Sequence, residues 1–407
     1  MFRFGTRRTP VALLNLLSQP ARTTACVLGV AFALLLIFMQ LGFRGAVGNT
    51  ANIVYGKLDA DLFVRSPDYV HLYEPRMFER SWLRLIEGHP AVERIDPFFI
   101  MLQRWQNPPR NSDCSVAPPD GSFRTVGMMA MQIDRPVLDV PEIQSQLDKL
   151  KDPNAALVDR ATRAEYGPKN CRAFSDEDIG APFELGGRAT RIAGHFKLGT
   201  GLATNGAVLL SDVGFSLRTG IDTRQRTSLG LIHLKPGTSP VAFKEELIRW
   251  LNERDPHALL AIQILTKGEQ LQWERTRWLT ETPIGMIFTM GVVLSFIIGA
   301  AIVYMILAND VTARLPEYAT LKAMGYSPGF LARIVIMQAW LLAAFSYVPA
   351  VLVSLVLYEL TAELSNIPTA MTWGRVFGVA GLAIAMCSVS GVLAVLKLWK
   401  AEPASLF

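Results

Sequence analysis

Charged residues are scarce in this sequence of 407 residues. They make up 18% of the chain, while 50% of the residues are hydrophobic and the mean hydropathy is +0.27. Soluble domains carry charge on about 25% of their residues. The 4 Cys are too few for a disulfide-dense scaffold, and 31 Gly with 24 Pro exclude a collagen-like or low-complexity chain. Part of the chain is therefore expected to lie in a lipid bilayer.

Four stretches contain no charged residue and are each long enough to cross a membrane. They are residues 23–43, 282–309, 334–358 and 376–396. A helix rises about 1.5 Å per residue, so even the shortest stretch covers the hydrocarbon thickness of about 30 Å. Buried helices of a large soluble protein are the alternative, which is disfavoured because four such stretches seldom occur together. The sequence predicts four transmembrane helices.

Basic residues at the ends of these stretches indicate the orientation. The leader, residues 1–22, contains Arg and no acidic residue, and Arg or Lys also lie in the loop 310–333 and the tail 397–407. The loop 359–375 instead begins with an acidic residue. The positive-inside rule therefore predicts a multi-pass protein of the inner membrane with both termini in the cytoplasm. Because acidic and basic residues balance between positions 44 and 281, the net charge of +5 gives no indication of nucleic-acid binding.

A cleaved signal peptide is an alternative for the first stretch. The leader is basic, and the small residues Ala46 to Gly48 resemble a cleavage site. The apolar core is longer than in most signal peptides and the leader is long, which favours an uncleaved anchor.

Residues 44–281 are predicted to form one large extracytoplasmic domain of mixed α/β structure. A structureless loop of this length would be unusual. Strands are expected at residues 59–66, 92–102, 188–196, 206–210 and 229–234, and helices at 76–87 and 240–254. The Pro-rich stretch 107–121 is expected to be a loop. The ends of this domain, residues 44–58 and 267–280, are expected to continue the neighbouring spans as a helical stalk.

Cys114 and Cys171 both lie in this domain, whereas Cys26 and Cys387 lie in the predicted spans. A pair of cysteines on the oxidising side of a membrane suggests a disulfide that closes a long loop. Two free thiols are an equally good interpretation, because the sequence does not fix the distance between them.

Residues typical of catalytic, cofactor or metal sites are not found in the sequence. Gly194 to Gly199 has the glycine spacing of a P-loop, but Thr200 and Gly201 follow where Lys and Ser or Thr are required. No HExxH, Cys-x-x-Cys or GxSxG motif occurs. The uncharged stretches also lack the ionisable groups that proton-coupled transporters keep at membrane depth. The sequence therefore predicts no enzyme, no cofactor and transport driven by another subunit.

Two predicted cytoplasmic segments, the leader and the loop 310–333, contain signals for short helices. Residues 9–20 of the leader suit a short interfacial helix or a plain extension of the first span. In the loop 310–333, Pro316 is expected to start a short helix, Glu317 to complement its N-terminal dipole and Gly325 to follow its end. Tyr318, Leu321 and Met324 would form an apolar stripe on this helix. Such a stripe requires either a partner protein or the lipid interface to cover it.

Residues 317–327, EYATLKAMGYS, resemble the coupling segment of the FtsX/MacB-type ABC permeases, whose usual form is close to E-[FY]-A-T-L-K-A-[IM]-G. The order of one span, a large outer domain and three further spans is also similar. The likeness is closer to the DevC subfamily, the permease subunits of the heterocyst glycolipid exporter. Residues 38–47, 58–67, 196–212 and the end 401–407 carry it. Pro316 differs from the residue expected before Glu317.

The resemblance implies a fold of four transmembrane helices with a MacB-like periplasmic domain inserted between the first and second. It also implies a homodimer that recruits a stand-alone ABC ATPase and acts on a membrane-fusion adaptor and a TolC-like outer-membrane channel. The residues that would meet the ATPase are Pro316, Glu317, Tyr318, Leu321, Lys322, Met324 and Gly325. The sequence has no ATPase domain, in contrast to MacB, where ATPase and permease are fused.

Three functions remain open at this stage. The leading one is the permease subunit of an exporter for glycolipid or another lipid. The runner-up is a non-transporting signal transmitter that activates a cell-wall hydrolase through its outer domain. A membrane-anchored enzyme is the weakest, because no residue cluster supports it.

Overall fold

The computed structural model describes residues 20–107, 122–199, 204–317, 324–365 and 369–400, together with residues 16, 18, 114, 115 and 320. The chain divides into two units. Residues 1–46 and 282–407 make up the first, which we call the helical unit, and Val47–Glu281 make up the second, which we call the α/β unit. The leader segment 9–15, most of the Pro-rich loop 107–121 and the end 401–407 lie outside the described residues.

The described part of the chain contains four helices that are long and apolar enough to cross a membrane. We number them spans 1 to 4, and they occupy Pro20–Thr50, Pro283–Ala313, Pro328–Ser365 and Trp373–Lys400. Pro stands in the first turn of three of these helices, where its missing N–H costs no hydrogen bond. The helices extend past the uncharged stretches and carry ionisable residues near their ends, among them Arg22 and Asp310.

Apolar side chains of all four spans form one buried cluster in the helical unit. They include Leu34, Phe38, Val303, Leu307, Val335, Ala339, Val379 and Met386. Gly299 of span 2 allows a close approach, since a Cβ there would lie 2.4 Å from Met386 Sδ and 3.0 Å from Ala33 Cβ. Ser390 Oγ of span 4 donates a hydrogen bond to Ala300 O of span 2 at 2.7 Å. Small residues and hydroxyl bonds of this kind are how helices associate in a bilayer.

A nine-stranded sheet organises the α/β unit. Its strands are β1 Leu62–Arg65, β3 Val92–Gln106, β4 Arg124–Met131, β5 Ala155–Asp159, β6 Pro182–Leu185, β7 Arg188–Phe196, β8 Ala207–Ser211, β10 Leu229–Leu234 and β11 Gln263–Thr266. The order is β11-β1-β10-β3-β4-β8-β5-β7-β6, and β2 Phe78–Glu79 pairs separately with β9 Arg226–Thr227. The long strand β3 also pairs with β6, Trp105 opposite Leu185, so that six strands form a closed ring of neighbours.

Both faces of the central strands are buried, which explains their nearly continuous hydrophobic sequence. In β4, Val126, Met128 and Ala130 belong to one apolar cluster, while Met129 and Met131 belong to another. Successive side chains of a strand point to opposite faces, so alternate residues reach different clusters. Strands β5 and β8 follow the same alternation. The sheet therefore separates two hydrophobic cores.

Seven α-helices accompany this sheet within the described residues. They are α1 Ile53–Lys57, α2 Ser81–Glu87, α3 Pro141–Gln144, α4 Asp212–Thr219, α5 Pro240–Arg254, α6 Ala258–Ala261 and α7 Lys267–Thr280. A third apolar cluster forms where α2 and α5 cover β1, β10 and β11. Phe243, Leu247 and Leu251 supply the buried stripe of α5 at a spacing of four residues.

Most of the predicted elements are present. Residues 188–196, 229–234 and 240–254 have the predicted structure, and β3 continues four residues beyond the predicted strand. The prediction of one helix over residues 76–87 is wrong in its first part. Phe78 and Glu79 pair with Thr227 and Arg226 as strand, and the helix begins at Ser81. The predicted fold class is confirmed, with four apolar helices and a large α/β domain between the first and the second.

Candidate coupling site

The segment after span 2 turns sharply and begins a new helix. Span 2 ends at Ala313, and Arg314 has φ −103° and ψ 13°, outside the helical region. Residues 315–317 and 320 are helical again. Pro316 stands at the start of this helix, where Pro is favoured, and Gly325 after it has φ +90°, which glycine adopts without strain.

The structure describes only part of the predicted coupling residues. Pro316, Glu317, Met324 and Gly325 lie within the described chain, whereas Tyr318, Leu321 and Lys322 lie outside the described residues. Met324 exposes 63% of its surface and the Glu317 side chain exposes 66%. The part of the stripe that is described is thus open to the surroundings of the helical unit.

A carboxylate of span 2 connects this segment with two other spans. Asp310 lies 3.8 Å from Arg22 of span 1 and 3.4 Å from Arg314. Gln338 Nε2 of span 3 donates to Asp310 Oδ2 at 3.4 Å. Arg314 in turn lies 3.6 Å from Glu317. We call these five side chains the Asp310 network.

The centre of the Asp310 network is less exposed than a surface ion pair, whereas its outer members Arg22 and Glu317 are 36% and 66% exposed. The side chains of Asp310 and Arg314 are 21% and 12% exposed, and Gln338 is 1% exposed. Charges that are partly removed from water are screened less by salt and attract each other more strongly. Arg314 also donates to Ser18 Oγ at 3.0 Å, so its guanidinium has partners on three segments of the chain. The network therefore connects side chains of spans 1, 2 and 3 with the start of the helix that follows span 2.

A small cavity lies beside this network, lined by Thr23, Cys26 and Leu342 among others. Its volume is about 30 Å³. A water molecule needs about 10–15 Å³ of such space, so the cavity has room for ordered water beside the polar side chains.

The loop that resembled a P-loop in its glycine spacing is occupied by a carboxylate of the protein itself. Gly199 N donates to Asp159 Oδ2 at 2.9 Å, and Leu198 N donates to Asp159 Oδ1 at 3.4 Å. Burial raises the pKa of Asp159, although these backbone N–H groups oppose the shift. The amides that a P-loop would offer to phosphate thus bind an internal acid. This arrangement is a strand followed by a glycine turn.

Further chemistry in the α/β unit is limited. Within the described ranges, no group of three or more His, Cys, Asp or Glu is arranged to hold a metal ion. An open polar depression of about 330 Å³ lies beside the first residues of β4. Its charged residues, Arg124 and Glu165, contact each other, with Arg124 Nε donating to Glu165 O at 2.5 Å. No arrangement of nucleophile, base and oxyanion donors accompanies them.

The two cysteines of the α/β unit are joined by a disulfide in the structure. Cys114 and Cys171 have Cα atoms 5.9 Å apart and are separated by 57 positions in the sequence. Both have positive φ angles, 66° and 55°. This is the backbone region that non-glycine residues seldom adopt.

Sequence reasoning missed the Asp310 network. Asp310 and Arg22 marked only the limits of uncharged stretches, and Gln338 lay unnoticed inside one. A usable indication was present, because an acid and two bases at the same predicted membrane boundary are expected to pair. Their proximity depends on how three helices pack, which the pattern of one helix does not contain.

The fold is that of a multi-pass membrane protein with an α/β domain inserted after its first span and the Asp310 network joining side chains of spans 1, 2 and 3. Residues 288–403 match the family model described as FtsX-like permease C-terminal. This match covers spans 2 to 4 from residue 288 onward, together with the segment between spans 2 and 3. A search of curated proteins found no match.

Two solved structures are similar to the chain over about half of its length. One is the periplasmic region of MacB from Actinobacillus actinomycetemcomitans, with 8% identity and a TM-score of 0.34, covering 54% of this chain and 94% of that one. The other is the extracellular domain of the noncanonic ABC-type transporter YknZ from Gram-positive bacteria. It has 13% identity and a TM-score of 0.31, and covers 51% of this chain and 99% of that one.

Proposed function

We propose that this chain is the transmembrane permease subunit of an ABC-type exporter. A separate ATPase subunit hydrolyses ATP, and this chain passes the resulting movement through the membrane to its α/β unit. The family match to residues 288–403 supports this assignment, because it covers spans 2 to 4 together with the coupling segment. Both termini lie in the cytoplasm and the α/β unit lies on the opposite side, in accordance with the distribution of Arg and Lys.

The single observation that carries this proposal is the Asp310 network. A force applied to the coupling helix at Glu317 reaches Arg314 and Asp310 through ion pairs, and from Asp310 it reaches spans 1 and 3. The exposed Met324 supplies an apolar contact for the partner. An exposed apolar residue beside the Asp310 network suits a binding site for an ATPase that transmits force to the spans.

The remaining partners and the substrate follow from the resemblance in sequence. A homodimer of the permease would bind a pair of ATPases, and the α/β unit would act on a membrane-fusion adaptor and a TolC-like outer-membrane channel. Likeness to the DevC subfamily favours a glycolipid or another lipid as substrate.

Co-purification of the proposed ATPase subunit with this chain tests the docking site. We expect Met324→Asp and Leu321→Asp to reduce the ATPase recovered at least tenfold, because a buried charge in an apolar contact is costly. Leu260→Asp is the matched control, since Leu260 lies in the α/β unit and is 76% exposed. Recovery that is unchanged by both coupling variants would refute the docking site. ATP hydrolysis without substrate movement, in vesicles that contain adaptor and ATPase, would instead favour a signal transmitter.

A further inference from the structure

Two segments connect the α/β unit covalently with the spans. The chain enters this unit at Val47 and leaves it at Glu281. We call residues 47–58 the entry segment, which includes α1, and α7 the exit helix. The two contact each other closely. A Cβ on Gly48 would lie 3.2 Å from Arg275 Cγ, and Asn52 Nδ2 donates to Leu271 O at 3.0 Å.

A fully buried carboxylate of the exit helix joins three parts of the α/β unit. Glu274 has 0% exposure. Its Oε1 accepts hydrogen bonds from Leu72 N at 3.0 Å and Trp278 Nε1 at 3.2 Å, and its Oε2 accepts one from the Tyr69 hydroxyl at 2.9 Å. The Tyr69 hydroxyl lies 2.6 Å from the Tyr55 hydroxyl of the entry segment. One carboxylate thus connects the exit helix, the loop after β1 and the entry segment.

A buried guanidinium fastens the exit helix to the sheet. Arg65 of β1 is 2% exposed. Its Nε donates to Gln263 Oε1 of β11 at 2.9 Å, and its Nη1 donates to Gln270 Oε1 of the exit helix at 3.0 Å. The guanidinium also stacks 3.8 Å from the centre of the Trp273 ring. Arg65 and Glu274 therefore act on neighbouring turns of the same helix.

Stability alone gives little reason for this arrangement. Apolar residues of similar volume often stabilise a core as well as a buried polar cluster does, because they avoid the cost of removing charge from water. Hydrogen bonds, however, are directional and fix the angle and register of the groups they join. The exit helix follows β11 directly, and these bonds also fix its orientation on β1. The cluster is thus suited to transmitting displacement.

We propose that Glu274 and Arg65 are positioning residues that hold the entry segment and the exit helix to the sheet as one rigid body. Movement of span 1, whose helix runs on to Thr50 in the entry segment, then displaces the sheet instead of being absorbed at the junction. This inference rests on the proposed function, in which an ATPase moves the spans. It adds the place where their movement enters the α/β unit.

The test compares the full-length chain, in complex with its ATPase, with and without a non-hydrolysable ATP analogue. Hydrogen–deuterium exchange of residues 62–74 reports whether the displacement reaches β1 and its loop. Glu274→Leu keeps the volume and removes all three acceptor bonds. In Glu274→Gln, the amide oxygen still accepts from Leu72 N and Trp278 Nε1, and the amide nitrogen donates to the Tyr69 hydroxyl. The hydrogen bond between Tyr69 and Tyr55 then changes direction, which either hydroxyl allows. We expect the nucleotide-dependent change to fall at least threefold in Glu274→Leu and to stay within 1.5-fold of the wild type in Glu274→Gln.

Further variants separate positioning from folding. Tyr69→Phe removes one hydroxyl of the cluster and keeps the aromatic ring in place. This variant is used in the test instead of Glu274→Leu if Glu274→Leu does not fold. Thr190→Val is the matched control, because Thr190 Oγ1 accepts two bonds from Arg218 in a distant part of the same unit. An equal loss of response in Thr190→Val, or an unchanged response in both cluster variants, would overturn the positioning role.

The proposed function and this inference fail in different ways. A wild-type complex with no nucleotide-dependent change in the α/β unit would refute both. A wild-type response that survives loss of the cluster, with ATPase binding intact, would refute the positioning role alone. Loss of the response with unchanged ATPase recovery and unchanged basal hydrolysis would support it.

Discussion

The interaction between Asp310 and its cations is open to a quantitative test. Asp310→Asn keeps the shape of the side chain and its contact with Gln338 but removes the charge that attracts Arg22 and Arg314. These two pairs lie at 3.8 Å and 3.4 Å, and their side chains are between 12% and 36% exposed. Exposed pairs contribute about 0–1 kcal/mol, and breaking fully buried ones costs about 3–5 kcal/mol. For partly buried pairs we expect a loss of about 2 kcal/mol in the free energy of unfolding.

A double-mutant cycle isolates one of these pairs. Unfolding free energies of the full chain in micelles are measured for Asp310→Asn, Arg22→Gln and the double variant. We expect a coupling energy of about 1 kcal/mol. Once Asp310→Asn has removed the attraction between Asp310 and Arg22, Arg22→Gln cannot remove it a second time. Arg333→Gln provides the control, since Arg333 is exposed near the start of span 3 and lies outside the network. A coupling energy below about 0.3 kcal/mol, or one equal to that of the control cycle, would refute the network as a mechanical link.

Three further predictions concern packing, covalent restraint and pH. Gly299→Leu should destabilise the helical unit by about 1–3 kcal/mol through its clash with Met386, whereas Gly381→Leu, which meets nothing within 4 Å, should leave the thermal midpoint unchanged. Cys171→Ser should lower the free energy of unfolding of the α/β unit by about 4 kcal/mol, because the unfolded chain is no longer restrained by a closed loop of 57 residues. A thiol assay of the unreduced wild type should find both cysteines of this unit blocked. Burial raises the pKa of Glu274 above its ordinary value of 4.5, so the folded state binds its proton more tightly than the unfolded state does. The stabilisation from protonated Glu274 is therefore complete below pH 4.5 and is lost as the pH rises through the folded pKa. Glu274→Gln should flatten this part of the plot of unfolding free energy against pH.

Several elements were predictable because their determinants are local. The four spans follow from uncharged stretches longer than the bilayer requires, and α5 follows from apolar residues at a spacing of four behind Pro240. Strand β10 follows from a short apolar run, LGLIHL, whereas β7, RATRIAGHF, mixes polar and apolar residues after the turn glycines Gly186 and Gly187. For the coupling segment, Pro316 and Gly325 mark a start and an end that depend only on their own backbone preferences.

The short strands β2 and β9 show where local pattern stops being sufficient. Phe78 lies in a stretch whose apolar spacing suits a helix, but its backbone pairs with Thr227, which is about 150 residues away in the sequence. The ring closure between Trp105 and Leu185 is likewise a long-range pairing. Register between distant strands is set by the packing of whole faces, which no single segment encodes.

By itself the sequence determined the membrane class of this protein, the place of its inserted domain and the segment that resembles a coupling helix. Hydropathy and helical or strand periodicity are properties of neighbouring residues, so one chain segment is enough to show them. Only the tertiary structure decided that Asp310 meets Arg22 and Gln338, and that Glu274 meets Tyr69 across 205 positions of sequence. A charge reveals its partner only when folding has brought the two together and removed most of the water between them.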